Sequence, residues 1–225
     1  MKRRTLLLSA LGAGGALLVG WGVAPPRSRL GKPDSMLPTQ GNVGLNGWIK
    51  IGEDGTVVLA MPRSEMGQGV HTALAMLAAE ELDIPLAQVR LEQAGPDAMY
   101  GNVAAVLAFL PFHPQQTEEG QRSATVKTAQ WLTAKVGREL GLIMTGGSSS
   151  VADAWEPVRL AAASARAALA QAAAAQWQVP AADVVFKQGK LSHASGKEGH
   201  FGEFAAAAAK PVSYTHLTLP TIYSV

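Results

Sequence analysis

The stretch Ser64-Glu65-Met66-Gly67-Gln68-Gly69-Val70-His71-Thr72 stands where a strand-like run ends and a helical run begins. Upstream, residues 48–51 and 56–61 are β-rich and flank Gly52-Glu53-Asp54-Gly55, so an Asp-Gly turn predicts a hairpin. Downstream, Leu74, Leu77, Ala78 and Leu82 recur at helical spacing over 72–82, Pro85 ends the run, and 89–92 reads as a strand. A glutamine between two glycines at such a junction has two readings. One is a plain turn. The other is that Gly67 and Gly69 let the backbone approach an anionic or polar group, because a helix start collects free N–H groups and the positive end of the dipole. The Gln68 amide, which donates and accepts at once, suits a heterocycle or a phosphate ester better than a bare charge.

The second half of the chain repeats the design. A helical run over 155–176, rich in alanine, leads through Pro180 into a strand at 184–187. The joints align, with Pro85, Ala87 and Val89 matching Pro180, Ala182 and Val184, although two helix–proline–strand joints can also coincide by chance. The expectation is an α+β fold of two related units, each packing a helix on a small sheet. Between them, 100–122 reads as an ordered loop anchored by Val106, Leu107, Phe109, Leu110 and Phe112, followed by a helix over 130–144.

That helix leads into a second glycine-rich start, Thr145-Gly146-Gly147-Ser148-Ser149-Ser150, with Ser150 and Asp153 at capping-box spacing. Backbone N–H groups, glycines and serine hydroxyls together suit a phosphate. One such start is weak, but two favour a long ligand carrying a pyrophosphate. Gly67, Gln68, Gly69, Gly146, Gly147, Ser148, Ser149 and Ser150 are therefore the candidate binding residues. Neither start is a dinucleotide fingerprint or a P-loop, since G-x-G-x-x-G and Gly-Lys-Ser/Thr are missing at both. No histidine or carboxylate spacing suits a metal, and no G-x-S-x-G elbow supports a serine nucleophile. His71 reads as a capping or half-buried residue. Of Glu80 and Glu81, one is expected in solvent and the other paired with a base.

The 225 residues are 48% hydrophobic and 16% charged, enough for one sizeable core or two small domains. A net charge of +2 with scattered Lys and Arg argues against a nucleic-acid partner. With no cysteine, the chain cannot itself ligate an iron–sulfur cluster through thiolates or form a disulfide. Arg3-Arg4 before an uncharged run reaching Pro26, diluted by five glycines, resembles a twin-arginine export signal over 1–26. An ordinary secretory signal or a membrane anchor is the competing reading. The best cleavage pair, Gly22 and Ala24, is followed by Pro25, which disfavours processing, and both removal of the segment and its retention as a membrane tether stay open. Residues 27–44 read as a linker, and 212–225 resemble translated sequencing-adapter read-through and are set aside from the fold.

Gly47-Trp48-Ile49-Lys50-Ile51, the stretch 64–72, and 145–150 with Trp155 and Arg159 together resemble the molybdopterin-binding large subunits of the xanthine dehydrogenase and aldehyde oxidase group. The branch most similar is the isoquinoline 1-oxidoreductase beta subunit, which includes periplasmic aldehyde dehydrogenases. The resemblance implies that 45–211 are part of a molybdopterin-binding domain in an N-terminal fragment of such a subunit. It implies molybdopterin cytosine dinucleotide as cofactor, with Gly67, Gln68 and Gly69 toward the pterin and phosphate, and Gly146, Gly147 and Ser148 to Ser150 along the dinucleotide. It further implies hydroxylation of an aldehyde or N-heterocycle with oxygen from water, electrons passing to a separate [2Fe–2S] subunit and onward to a cytochrome c, and a periplasmic location. The family's catalytic glutamate falls beyond this chain, so no catalytic residue is assigned and the fragment alone is expected to be inactive. Ala152 stands where relatives often carry a basic residue, which puts one anion contact in question. The alternative is a non-catalytic, exported α+β module that binds a nucleotide or a partner.

Overall fold

The computed structural model describes residues 20–22, 24, 28–36 and 39–210. Most of the expected export segment and the whole of the adapter-like tail lie outside the described residues. The first sheet has the order β1 (Asn42–Gly44), β2 (Ile49–Gly52), β3 (Val57–Met61), β4 (Val89–Gln93). The expected hairpin is β2–β3, antiparallel with Ile49 opposite Leu59 and Ile51 opposite Val57. Its turn is built locally: Asp54 accepts from Thr56 N at 2.9 Å and from Thr56 Oγ1 at 2.8 Å, and Gly55 takes φ 82°. β4 joins β3 in parallel, Leu59 opposite Leu91, which demands a crossover. Helix α1 (Val70–Leu82) provides it, burying Leu74, Leu77, Ala78 and Leu82.

β2 and β3 are buried along their whole length, which forces one polar residue inside. Lys50, 2% exposed, reaches across β3 to both carboxylate oxygens of Glu92 on β4, at 2.9 and 2.7 Å.

The chain then forms the short helices α2 (Val103–Leu107) and α3 (Pro114–Thr117), followed by α4 (Ala124–Leu140). The 100–122 segment is ordered as expected, but its anchor differs. Tyr100, Val103 and Ala105 are buried, whereas Phe109 is 79% exposed. α4 begins at Ala124 rather than 130, because Ser123 caps it by accepting from Val126 N at 3.3 Å. It ends at Gly141, which takes φ 60° and lies so close to Ala98 that a Cβ there would meet backbone at 2.5 Å.

Helix α5 (Ser150–Trp177) packs along α1. Ala154, Ala161, Ala162, Ala165, Ala168 and Ala173 form its buried face, and small side chains let two helices approach closely. Arg159 pairs with Glu81 at 2.5 Å and Arg166 Nη1 donates to Glu81 O at 2.9 Å, tying the two helices at one carboxylate-bearing residue. Glu80 stays exposed.

The repeated joint is real at the level of backbone. Asp83 (φ 53°) and Gln178 (φ 57°) close their helices in the left-handed region, and Ile84 N and Val179 N reach back to Ala79 O and Ala174 O. Pro85 and Pro180 each open a short 3-10 turn, Leu86–Gln88 and Ala181–Asp183. The sheets that follow differ. β5 (Val185–Lys187), β6 (Lys190–Ser192) and β7 (Glu198–His200) form a separate antiparallel meander, and α6 (Phe201–Ala208) follows it. Both units share one apolar core, in which Trp48, Leu59 and Leu74 join Leu169, Phe186 and Phe204.

Candidate functional site

The two glycine-rich starts, far apart in sequence, meet in space. Ser64 N donates to Thr145 Oγ1 at 2.9 Å, joining positions separated by 81 residues. Between the starts lies a cleft of about 300 Å³, lined by Gln68, Gly69, Gly146, Gly147, Ser148 and Ser150. Met66, Val70, Ala73, Thr145 and Val151 complete it, so part of the wall is apolar. Gly67 and Ser149 do not line it. Ser149 is 4% exposed, donating to Gly146 O at 2.6 Å and accepting from Asn102 Nδ2 at 2.8 Å.

On the α1 side, the anion expected at the glycines is supplied by the chain. Glu65 accepts from Gly67 N and Gly69 N at 2.9 Å each and from His71 N at 3.1 Å. Gln68 does donate and accept at once, but within its own loop: Oε1 accepts from Met66 N at 2.6 Å and Nε2 donates to Ser64 O at 2.9 Å. His71 Nε2 lies 2.9 Å from Arg63 O, which gives this histidine a structural role. The turn is thus shaped around an internal carboxylate.

The amides of His71, Gly69 and Gly67 hold the Glu65 carboxyl below its ordinary value of 4.5. A depressed folded-state pKa means that this contribution is present above the ordinary value and is lost as pH falls through the lowered one. Hydrogen-exchange protection at Gly67, Gly69 and His71, corrected for intrinsic rate, is expected to step down below pH 4.5. Glu65→Gln should abolish that step, and a step that persists in the variant would assign the titration to another group.

On the α5 side, Gly147 and Ser148 are consecutive left-handed residues, φ 59° and 55°. The first intrahelical bond runs from Asp153 N to Ser149 O at 2.8 Å, so the amides of Ser150, Val151 and Ala152 precede it and face the helix start. The capping box expected from Ser150 and Asp153 does not form. Asp153 turns inward and is 6% exposed. It pairs with Arg63 at 2.6 Å and Arg29 at 2.7 Å, and accepts from Val103 N at 2.7 Å and Ala104 N at 3.2 Å. Two guanidinium groups and two amides outweigh one reciprocal cap. Arg63 immediately precedes the first loop and Asp153 sits in the first turn of α5, so this cluster fixes the base of the cleft. Burial pulls the Arg63 guanidinium below its ordinary value, and Asp153 opposes that shift.

The glycines separate into two kinds. Gly69 and Gly147 need positive φ, whereas Gly146 does not, and a Cβ at Gly146 would meet nothing within 4 Å. Neither conformation nor packing inside this chain requires glycine there, and the open side of the residue belongs to the cleft. The donor set of backbone amides and serines fits a phosphate ester. No Lys or Arg is among the residues that line the cleft. Among the described residues no group of three or more His, Asp or Glu side chains could hold a metal ion.

Residues 8–105 match the family described as the molybdopterin cofactor-binding domain. This segment belongs to that family. Across more of the chain, 181 residues are 32% identical to isoquinoline 1-oxidoreductase subunit beta of Brevundimonas diminuta, covering 80% of this chain and 19% of the relative. A further 26% identity over 217 residues links it to the membrane-bound aldehyde dehydrogenase (pyrroloquinoline-quinone) of Gluconacetobacter polyoxogenes, covering 96% of this chain and 22% of that one. The chain thus spans about a fifth of the length of these curated relatives. Among solved structures, quinoline 2-oxidoreductase from Pseudomonas putida 86 is similar at a TM-score of 0.44 and 18% identity, over 74% of this chain and 17% of that one. The molybdopterin-binding segment contains the first glycine-rich start, and the second lies beyond it, within the chain that wraps back to form the same cleft.

Proposed function

We propose that the chain forms part of the cofactor-binding large subunit of a molybdenum hydroxylase that oxidises an aldehyde or an N-heterocycle, with water as oxygen source. The observation that carries this reading is the meeting of both glycine-rich starts in one cleft, on a chain whose first half matches a molybdopterin-binding family. When bound, molybdopterin cytosine dinucleotide would supply the redox and hydroxylating chemistry. The residues present here bind and orient. The amides opening α5, with Ser148 and Ser150, would receive a phosphate, and Gly146 leaves room for its approach. Glu65 and the braced Gln68 amide hold the facing loop in one shape. Electrons would leave through a separate [2Fe–2S] subunit, in line with a chain that has no cysteine, and then to an acceptor such as a cytochrome c. Export by the twin-arginine route to the periplasm belongs to the same proposal, supported by Arg3-Arg4 before an uncharged run.

One observation favours a second reading, the non-catalytic binding module: Glu65 already fills the α1 amides, and the cleft has no cation. Gly146→Val distinguishes the two, because it fills the cleft without straining the backbone. In the full-length subunit, purified with its partner from a cofactor-producing host, the variant should melt like the parent. It should hold about tenfold less molybdenum, the equivalent of about 1.4 kcal/mol. A parent complex without molybdenum, or a variant with undiminished content, would overturn the proposal. A quinone in place of the metal would point to the group in the second relative's name.

A further inference from the structure

Among the described residues Arg138, in the last turn of α4, has no ion pair and no hydrogen bond, and its Nε is buried without a partner. An arginine in a last turn ordinarily answers the final helix carbonyls, and this one reaches none of them. Arg138 instead walls two cavities, of about 250 and about 220 Å³, which share Ser28, Arg29 and Arg138. In the larger, Lys32 joins the two arginines, and Asp97 is the one carboxylate. Asp97 forms no ion pair with either Lys32 or Arg138, and its Oδ1 accepts from Met99 N at 2.9 Å. Glu156 lines only the smaller cavity and is exposed. Arg29 and Arg63 share the single carboxylate of Asp153, so that cluster keeps one positive charge in excess. That charge with Lys32 and Arg138, less Asp97, leaves the larger cavity an excess of two positive charges. Its hydroxyls are donors as well. Ser28 Oγ accepts from Leu30 N at 3.2 Å and Ser35 Oγ from Lys32 N at 3.1 Å, so each keeps its proton to donate elsewhere.

We propose that this cavity is a second anion site, which takes the phosphate group of a small organic phosphate on Arg138 and Lys32. A phosphate monoester carries close to two negative charges at neutral pH and three acceptor oxygens, which matches the excess charge and the surrounding donors. A carboxylate brings one charge and two oxygens and leaves part of that donor set unused. The guanidinium fork of Arg138 suits a phosphate, because it can donate two parallel hydrogen bonds to it. At about 250 Å³ the cavity has room for more than a bare ion. It stays below the roughly 300 Å³ at which clefts for larger ligands begin, so it fits a short ester and not a nucleotide. Ala98 and Met99 give the organic part an apolar wall. None of the residues lining the cavity lines the cleft between the glycine-rich starts, so the proposal does not rest on the cofactor. Arg29 alone connects the two, since it lines the cavity and also braces Asp153 at the base of the cleft.

The test is a calorimetric titration of the full-length chain with glycerol phosphate, in buffer free of other phosphate. One equivalent should bind with a Kd below about 1 mM, and acetate should bind at least about tenfold more weakly. Arg138→Met, which keeps the apolar stem, should weaken glycerol phosphate at least about tenfold. Its melting temperature without phosphate should stay at or above that of the parent, because the lost guanidinium leaves no partner behind. Lys32→Met, at an exposed position, should weaken binding several-fold and carries the test if Arg138→Met does not fold. Gly146→Val, which fills the other cleft, should bind glycerol phosphate like the parent. The proposal is overturned by no binding, by binding that survives both Arg138→Met and Lys32→Met, or by binding lost in Gly146→Val alone. Acetate as tight as glycerol phosphate would overturn the choice of phosphate, and inorganic phosphate much tighter than the ester would overturn the organic part. Arg138→Met melting well below the parent, with Lys32→Met binding normally, would make Arg138 a structural residue.

Discussion

Asp153→Ala is expected to destabilise the fold by about 3–5 kcal/mol, because it leaves a buried guanidinium without its counter-ion. Arg63 is 0% exposed and its Nε has no hydrogen-bond partner among the described residues, so it has no water to fall back on. What remains to it are the carbonyls of Pro62 at 3.1 Å and Tyr100 at 2.9 Å. The amides of Val103 and Ala104 lose their acceptor at the same time. Asp153→Asn, which keeps an acceptor and loses the charge, should fall between the parent and Asp153→Ala. Urea midpoints of the three full-length chains read the order directly. A loss under about 1 kcal/mol for Asp153→Ala would mean that Arg63 rehydrates, as exposed pairs do. Faster amide exchange at 64–69 and 146–149 should accompany the loss, since Arg63 and Asp153 sit at the two bases of the cleft.

Phe204→Ala is expected to cost about 3–5 kcal/mol and to shift one transition, not one of two. Phe204 is 0% exposed and meets Trp177 edge to face, ring centres 5.3 Å apart at 85°. Gly199 lies so close that a Cβ there would stand 2.7 Å from the Phe204 ring, so the cavity is walled by backbone that cannot collapse freely. α6 packs against both α5 and β2, which makes Phe204 a bridge between the second sheet and the first. Far-UV circular dichroism and tryptophan fluorescence should therefore report the same midpoint in parent and variant. An early loss of β5–β7 signal with the rest intact would show that the second unit folds on its own.

The sequence carries its local structure openly and its long-range partnerships hardly at all. Asp54-Gly55 announces the β2–β3 turn, because the turn chemistry sits within four residues. The caps at Asp83 and Gln178 are less visible, since neither is the glycine that a left-handed residue usually calls for. The proline after each was the signal that located them. The S-x-x-D spacing of Ser150 and Asp153 points to a local cap, but the partners of Asp153, Arg29 and Arg63, are 124 and 90 positions away. Glu65 leaves no spacing motif in the sequence, although an acidic residue just before a glycine-rich helix start has a physical reason to turn back on it. Each glycine-rich start was legible by itself, and their union in one cleft was not, because it depends on α5 packing against α1.

The pair formed by Lys50 and Glu92 has a consequence for how the sheet finds its alignment. β3 and β4 pair only after α1 has carried the chain across, so their register is not set by any tight turn. A slip of one residue would turn Glu92 to the opposite face of the sheet. Lys50, with its side chain 3% exposed, would then hold a buried ammonium without that carboxylate, a penalty of several kcal/mol. The apolar strand β3 alone tolerates misalignment poorly, but the ion pair spanning it makes one alignment discriminated by charge as well as by shape. It acts as a proofreading contact for the only parallel pairing in the described sheets, on the strand that delivers the chain to Arg63 and the mouth of the cleft.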